Sequence, residues 1–315
     1  MDDSFLFNQL LPAALARLHT DLFAAMPRLA FQVDQWLLQL AGGKSPTDYF
    51  THPLAFPALA LPWWLEKTLR SAPDAAFQSE LVYSTINCYY YIRLLDNVMD
   101  GHRTNEVQLL PAAGFFHTQF QRAYQHYFGD RHPFWEFFTT TWFLAAEVTW
   151  QDAAFTDIDL AQFRQVSGQK VSAGKIPLAA VCHRYQRVDL LAKWSRFFDQ
   201  LGSWFQFSND VFDWNKDLKY QTQTYFLAEA RRRQRAGESI AQWVIREGFA
   251  WAYTQLEAWM QELRQLSIEL DSPDVTAFLD RRAALLSQQA RDVAAGFAQV
   301  ERLAVIFNST GNTHE

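Results

Sequence analysis

The sequence predicts an all-α fold: a single-domain bundle of roughly ten or more helices around a central aromatic cavity. Three observations lead there. No stretch sustains the apolar/polar alternation of a half-buried strand, whereas apolar residues recur at helical spacing along most of the chain. Only 12 Gly and 11 Pro punctuate 315 residues, which favours long helices and short connections. Aromatic residues make up 16% of the chain, with 27 Phe and 12 Trp, enough large apolar surface for a big core and a lined cavity.

Residues 4–25 and 28–41 read as two amphipathic helices, the second following Pro27. The turn formers of Gly42-Gly43-Lys44-Ser45-Pro46-Thr47-Asp48 make the first clear break, and Pro53, Pro57 and Pro62 mark an irregular connection. A short helix is expected over 63–70. Ser71-Ala72-Pro73-Asp74 then reads as a helix start with Pro just inside the first turn. A long apolar helix follows over 75–100, stopped by Gly101. Helices are expected over 106–128 and 134–152, split by Gly129-Asp130-Arg131-His132-Pro133. Thr156-Asp157-Ile158-Asp159 resembles an N-cap with an acidic first turn and opens a helix through Gln169. Gly168, Gly174 and Pro177 break the next stretch. One acidic helix is expected over 189–219, then helices over 224–236, 239–270 and 273–307. Residues 1–307 thus read as one domain and 308–315 as a polar tail.

Composition narrows the function. A net charge of −6 argues against a nucleic-acid partner, because phosphate backbones need a basic surface. The most apolar run, Phe134 to Val148, is interrupted by Glu136, three threonines and Glu147, too short and polar to span a bilayer. The N-terminus lacks the basic start of a signal peptide, so a cytoplasmic protein is expected. Cys88 and Cys182 sit in apolar helical contexts and read as buried free thiols rather than a disulfide.

The candidate chemistry lies on two acidic stretches. Asn209, Asp213 and Asp217 stand at i, i+4 and i+8, drifting only about 40° per step around a helix, so they share one face. A row of acids is often a solvated helix face. Here Trp204, Phe205, Phe207, Phe212 and Trp214 surround it, which speaks for carboxylates at the mouth of an apolar bundle. Asp96 and Asp100 repeat the i, i+4 spacing at the end of another aromatic helix. Mg²⁺ is bound through one or two carboxylates together with waters and substrate phosphates, so two such helices suit several Mg²⁺ ions and a diphosphate substrate. Lys170 and Lys175, in the broken stretch, are candidates for the phosphate, as exposed backbone N–H groups at such breaks also meet anions. Arg164 and Arg103 are further candidates, whereas Arg93, one turn before Asp96, can simply pair with it. Tyr83, Tyr90, Phe138, Trp142, Phe205 and Phe212 are either core or the wall of a water-excluding cavity.

These motifs resemble the class I isoprenoid synthase superfamily, and within it the trans-polyprenyl diphosphate synthases. Leu201-Gly202-x-x-Phe205-Gln206-x-x-Asn209-Asp210-x-x-Asp213-x-x-x-Asp217 is similar to that family's second aspartate motif, FQxxDDxxDxxxD, with Asn209 for the first Asp. DNVMD at 96–100 resembles the first motif, DDxxD, with Asn97 for the second Asp. Thr224-Tyr225 resembles the TYP segment, and Lys170 or Lys175 the phosphate lysine. The resemblance covers about residues 42–227. Of the GGKRxRP segment that binds isopentenyl diphosphate, Gly42-Gly43-Lys44 is present but Ser45-Pro46-Thr47 replaces the rest, and only Arg103 stands where an Arg pair belongs. The spacing of Asn209, Asp213 and Asp217 also matches the NDxxSxxxE motif of terpene cyclases, with Asp for Ser and for Glu, and Arg164 matches their arginine sensor.

The resemblance implies an isoprenoid synthase-like fold, a homodimer, and an enzyme acting on an allylic prenyl diphosphate. Mg²⁺ would lie on Asp96, Asp100, Asn209, Asp210, Asp213 and Asp217. Lys170, Lys175, Arg164, Arg103, Gln206, Lys44 and Tyr225 would contact substrate. With the isopentenyl diphosphate segment incomplete, the expected reaction is ionisation followed by cyclisation or quenching, as in a terpene synthase. Two alternatives stand beside it: a trans-prenyltransferase condensing prenyl diphosphate units, and a non-catalytic prenyl-diphosphate-binding or regulatory homologue.

Overall fold

Five helix starts in this chain are written in short polar side chains that satisfy the first, otherwise unpaired, backbone amides. Ser45 Oγ accepts from the Thr47 amide at 3.2 Å, and Asp74 Oδ1 from the Ala76 and Phe77 amides at 3.1 and 3.2 Å. Asp159 and Gln162 bond reciprocally at 2.9 and 3.1 Å. Thr224 accepts from Leu227, and Ser239 and Gln242 complete a capping box.

The computed structural model describes residues 3–99, 104–152 and 157–311. In chain order these form α1 (Asp3–Phe5), α2 (Leu11–Ala25), α3 (Ala30–Leu40), α4 (Pro46–Thr51), α5 (Ala60–Leu69), α6 (Ala75–Met99), α7 (Leu110–Gln125) and α8 (Phe134–Asp152). They continue as α9 (Leu160–Lys170), α10 (Lys175–Arg184), α11 (Leu191–Phe212), α12 (Trp214–Tyr220), α13 (Tyr225–Arg233), α14 (Ile240–Trp243), α15 (Phe249–Leu270) and α16 (Pro273–Gly311). Among the described residues there is no strand, and the fold is all-α as expected.

Several local expectations need correction. Gly168 and Pro177 lie inside α9 and α10 rather than breaking the chain there, and the expected helix over 4–25 contains a π-helical stretch, Leu6–Leu10. Residues 189–219 are not one helix: α11 ends at Phe212, and Asp213, at φ −98° and ψ 5°, leaves helical geometry before α12 begins. The cap before α6 is Asp74, which places Pro73 outside the first turn rather than inside it. The expected helix over 239–270 contains a π-helical stretch, Val244–Gly248, between α14 and α15.

The chain divides into two compact units, Met1–Val148 with Lys170–Phe198, and Thr149–Gln169 with Asp199–Glu315. In the first, α6 packs on α7 and α2, and α10 packs on α5. Phe120 of α7 lies 5.1 Å from both Phe138 and Trp142 of α8, with Tyr124 and Phe134 extending the cluster. Each fully buried ring of this kind contributes roughly 1.5–3 kcal/mol from removal of apolar surface. Glu66, fully buried, ties three elements together: it accepts from the Asp74 amide at 2.7 Å, Gln78 Nε2 at 2.5 Å and the Tyr185 hydroxyl at 2.5 Å.

In the second unit Phe163 of α9, Phe207 of α11, Tyr225 of α13 and Trp259 of α15 form one aromatic cluster, with ring centroids 4.9–6.2 Å apart. Trp204 Nε1 donates to the Leu256 carbonyl at 3.0 Å and fixes α11 against α15, while α16 packs along α15.

Candidate functional site

The bend at Asp213 does not destroy the acidic row. The Asp213 amide donates to the Asn209 carbonyl at 2.8 Å, and the Asp217 amide to the Asp213 carbonyl at 3.0 Å. Two i→i−4 bonds therefore bridge the break between α11 and α12, and the three residues stay linked at steps of one turn. Asn209 and Asp213 are exposed and Asp217 is half-buried. Burial, then the charge of Asp213, raises the Asp217 pKa; Lys216 opposes them.

Asp210 is buried where Asn209 and Asp213 are exposed. It is 3% exposed and is pushed up to about 8, chiefly by burial. Gln206 Nε2 donates to its Oδ1 at 2.8 Å, and the Tyr225 backbone donates as well; both bonds favour the charged form. The charges of Asp217 and Asp152 work against it. Asp210 and Asp217 are seven residues apart, within about 20° of one another around a helix, which explains why they feel each other. Asp152, at the end of α8, was not among the expected residues. Its one sequence signal is an acid closing an aromatic helix, the same signal that singled out Asp100.

The other expected residues fall as follows. Gln206 is exposed and engaged with Asp210. Tyr225 is 4% exposed, stacked 4.9 Å from Phe163, and pushed up to about 12 by burial and then by Glu229. Its place after the Thr224 cap is that of a core ring at a helix start. Arg164 Nη2 donates to Glu262 Oε1 at 3.0 Å, with its guanidinium 4.5 Å above Trp259, so within its own unit it is already paired and stacked.

In the first unit, Asp96 is half-buried and Arg93 Nη1 lies 3.4 Å from its Oδ2, the pairing that their one-turn spacing allows. Asp100 and Arg103 lie outside the described residues. Lys44 is exposed in the turn after α3, where Gly42 and Gly43 take φ of +65° and +77°. Lys170 ends α9 and Lys175 opens α10, both half-buried, and the expected break between them is a 3₁₀ turn, Ser172–Gly174. The glycines of this stretch have a packing reason. A Cβ on Gly174 would come within 2.4 Å of Phe198 Cζ, and one on Gly168 within 3.1 Å of Asp199.

The six candidate cavity aromatics all make close contacts. Tyr83 donates to Asp21 Oδ2 at 2.7 Å beneath Arg17, and Tyr90 packs 5.8 Å from Phe116. Phe138 and Trp142 belong to the Phe120 cluster, Phe212 lies 5.8 Å from Phe249, and Arg282 sits 4.3 Å over Phe205. Cys88 and Cys182 are buried and unbridged, as expected. No helix among the described residues is long and apolar enough to cross a membrane.

Among the described residues no three His, Cys, Asp or Glu side chains converge as a ready-made metal cage. Mg²⁺ does not require one, since it is held through one or two carboxylates with waters and substrate phosphates completing the shell. Asp213 and Asp217, hard oxygen donors one helical turn apart with Asn209 beyond them, fit that chemistry. Compared with known proteins, the chain matches no family model, and no curated protein matches it.

Proposed function

We propose that the chain is a Mg²⁺-dependent enzyme that ionises an allylic prenyl diphosphate and lets the cation cyclise or be quenched. The observation that carries this reading is the pair of backbone hydrogen bonds, Asp213 to Asn209 and Asp217 to Asp213, that spans the break between α11 and α12. They keep three oxygen-bearing side chains at steps of one turn, with Asp213 and Asp217 repelling each other where Asp217 is half-buried. A divalent cation would turn that repulsion into attraction.

Asn209, Asp213 and Asp217 would hold Mg²⁺ in the second unit, and Asp96 with Asp100 would do so in the first. When bound, the metal supplies charge stabilisation for the departing diphosphate. Asp210 would not be a direct ligand in this reading: it stays inside, holding Gln206 and the start of α13. Lys170 and Lys175 are the cations assigned to the leaving diphosphate, on the resemblance of that stretch to the phosphate lysine of the polyprenyl diphosphate synthases. The incomplete segment at Gly42-Gly43-Lys44 favours a single allylic substrate over condensation with isopentenyl diphosphate.

The test is a product assay with geranyl, farnesyl and geranylgeranyl diphosphates, each with Mg²⁺ or EDTA, and each with or without isopentenyl diphosphate. A hydrocarbon or alcohol from one allylic substrate, lost with EDTA, is the expected result. A longer diphosphate formed only with isopentenyl diphosphate would replace cyclisation by elongation. Thermal stabilisation by Mg²⁺ and pyrophosphate with no product from any substrate would replace catalysis by binding alone.

A further inference from the structure

A buried carboxylate stands beside the first acidic turn. Glu106 is 2% exposed and lies in the 3₁₀ turn Thr104–Leu109 that leads into α7. Its Oε1 accepts two hydrogen bonds, from Trp36 Nε1 of α3 at 2.7 Å and from Asn97 Nδ2 of α6 at 2.8 Å. Its Oε2 is buried and meets no donor among the described residues. Trp36 is itself immobilised, 6.0 Å from Tyr90 and 6.4 Å from Phe116.

We propose that Glu106 is a positioning residue for Asp96, acting through Asn97. This inference rests on the reading of Asp96 as part of the diphosphate site. The last turn of a helix lacks onward hydrogen bonds and is where it frays. Here that turn carries Asp96 and Asn97. Asn97 is tied at 2.8 Å to a carboxylate that is in turn tied to a packed indole, so the turn cannot rotate about the helix axis without breaking a buried hydrogen bond. Asp96, its immediate neighbour, is thereby held against Arg93. The same geometry explains why an amide stands at position 97. A carboxylate there would offer Glu106 no donor and would add a like charge at hydrogen-bonding distance.

Three variants separate positioning from charge. Glu106→Gln keeps an acceptor oxygen for Trp36 and Asn97 but removes the charge. Glu106→Leu removes the acceptor, and Asn97→Ala removes the donor. Two quantities are read: hydrogen exchange of the amides over 95–99, and the Mg²⁺ concentration giving half-maximal diphosphate release. Glu106→Leu and Asn97→Ala should each accelerate exchange of that turn and raise the Mg²⁺ requirement by about tenfold, with Glu106→Gln within about threefold of wild type. The double variant Asn97→Ala/Glu106→Leu should be no worse than the worse single one, because both cut the same link. Equal damage from Glu106→Gln and Glu106→Leu would overturn positioning in favour of the charge itself. Unchanged exchange in both Asn97→Ala and Glu106→Leu would overturn it outright. If Glu106→Leu does not fold, Asn97→Ala, at a half-buried position, decides the matter alone. A wild type that releases no diphosphate would remove the proposed function, and the exchange measurement would still decide the role of Glu106.

Discussion

Two sets of acidic residues, one in each unit, are treated in opposite ways. In the first, buried or half-buried acids are compensated inside the fold. Glu66 is wrapped in donors, Asp96 faces Arg93, and Glu106 holds Trp36 and Asn97. In the second, Asp210 and Asp217 are pushed upward first by burial, and neighbouring acids push them further. Acids satisfied by protein donors act as rivets. Acids left repelling one another are a place where a cation gains the most, and that difference is why the row on α11 and α12 carries the functional reading.

The comparison breaks most sharply through turnover. Asp213→Ala or Asp217→Ala should reduce Mg²⁺-dependent diphosphate release by at least about 100-fold with an unchanged helical circular-dichroism spectrum. Asp96→Ala should do the same if the first acidic turn serves the same chemistry. Near-normal rates in any of the three would withdraw that residue from the site. Glu66→Leu should have the converse signature. It strips the acceptor from three donors in a buried place and should cost roughly 3 kcal/mol in urea unfolding.

A smaller effect is expected between the lysines. Gly174→Ala forces a Cβ against Phe198 and should cost about 1–3 kcal/mol, whatever happens to diphosphate binding. A variant as stable as wild type would return that glycine to a role in presenting backbone N–H groups to the substrate.

The pH dependences should run in opposite directions. The folded Asp210 carboxyl, at about 8, binds its proton more tightly than an unfolded Asp at about 4, so its contribution is fully present below pH 4 and is lost as pH rises toward 8. Asp210→Asn should therefore gain stability relative to wild type as pH is raised over that window, by several degrees in Tm. His183 is lowered by burial and then by His132, whose ring lies 5.3 Å away. Its contribution is present above about pH 6.5 and falls as pH drops below that value, because the unfolded chain takes up the proton first. His183→Gln should flatten this acid-side slope. Hydrogen exchange should place the first effect in α11–α13 and the second around α10. Identical slopes in both regions would erase the contrast.

Much of this was legible in the sequence because it is local. The backbone bonds that link Asn209, Asp213 and Asp217 at four-residue steps are set by neighbours within eight residues, and the pairing of Arg93 with Asp96 by neighbours three apart. Both stand in the structure. The bend at Asp213 was not legible, since every residue around it is compatible with a helix.

What only the tertiary structure decided concerns partners far away in the chain. Asn209 and Asp210 are adjacent acid-motif residues. That one faces solvent while the other is buried beneath Tyr225 depends on where α13 returns. Asp152 joins the acidic group from 58 positions before Asp210, and Glu106 meets Trp36 across 70 residues. Gly174 looked like a place to expose backbone and proved to be where Phe198 closes in. By itself the sequence determined the helices and the order of acids along them, because backbone hydrogen bonds reach only one turn. Which acids are neutralised and which are left in conflict was decided by burial and long-range contact, the quantities that exist only once the chain has folded.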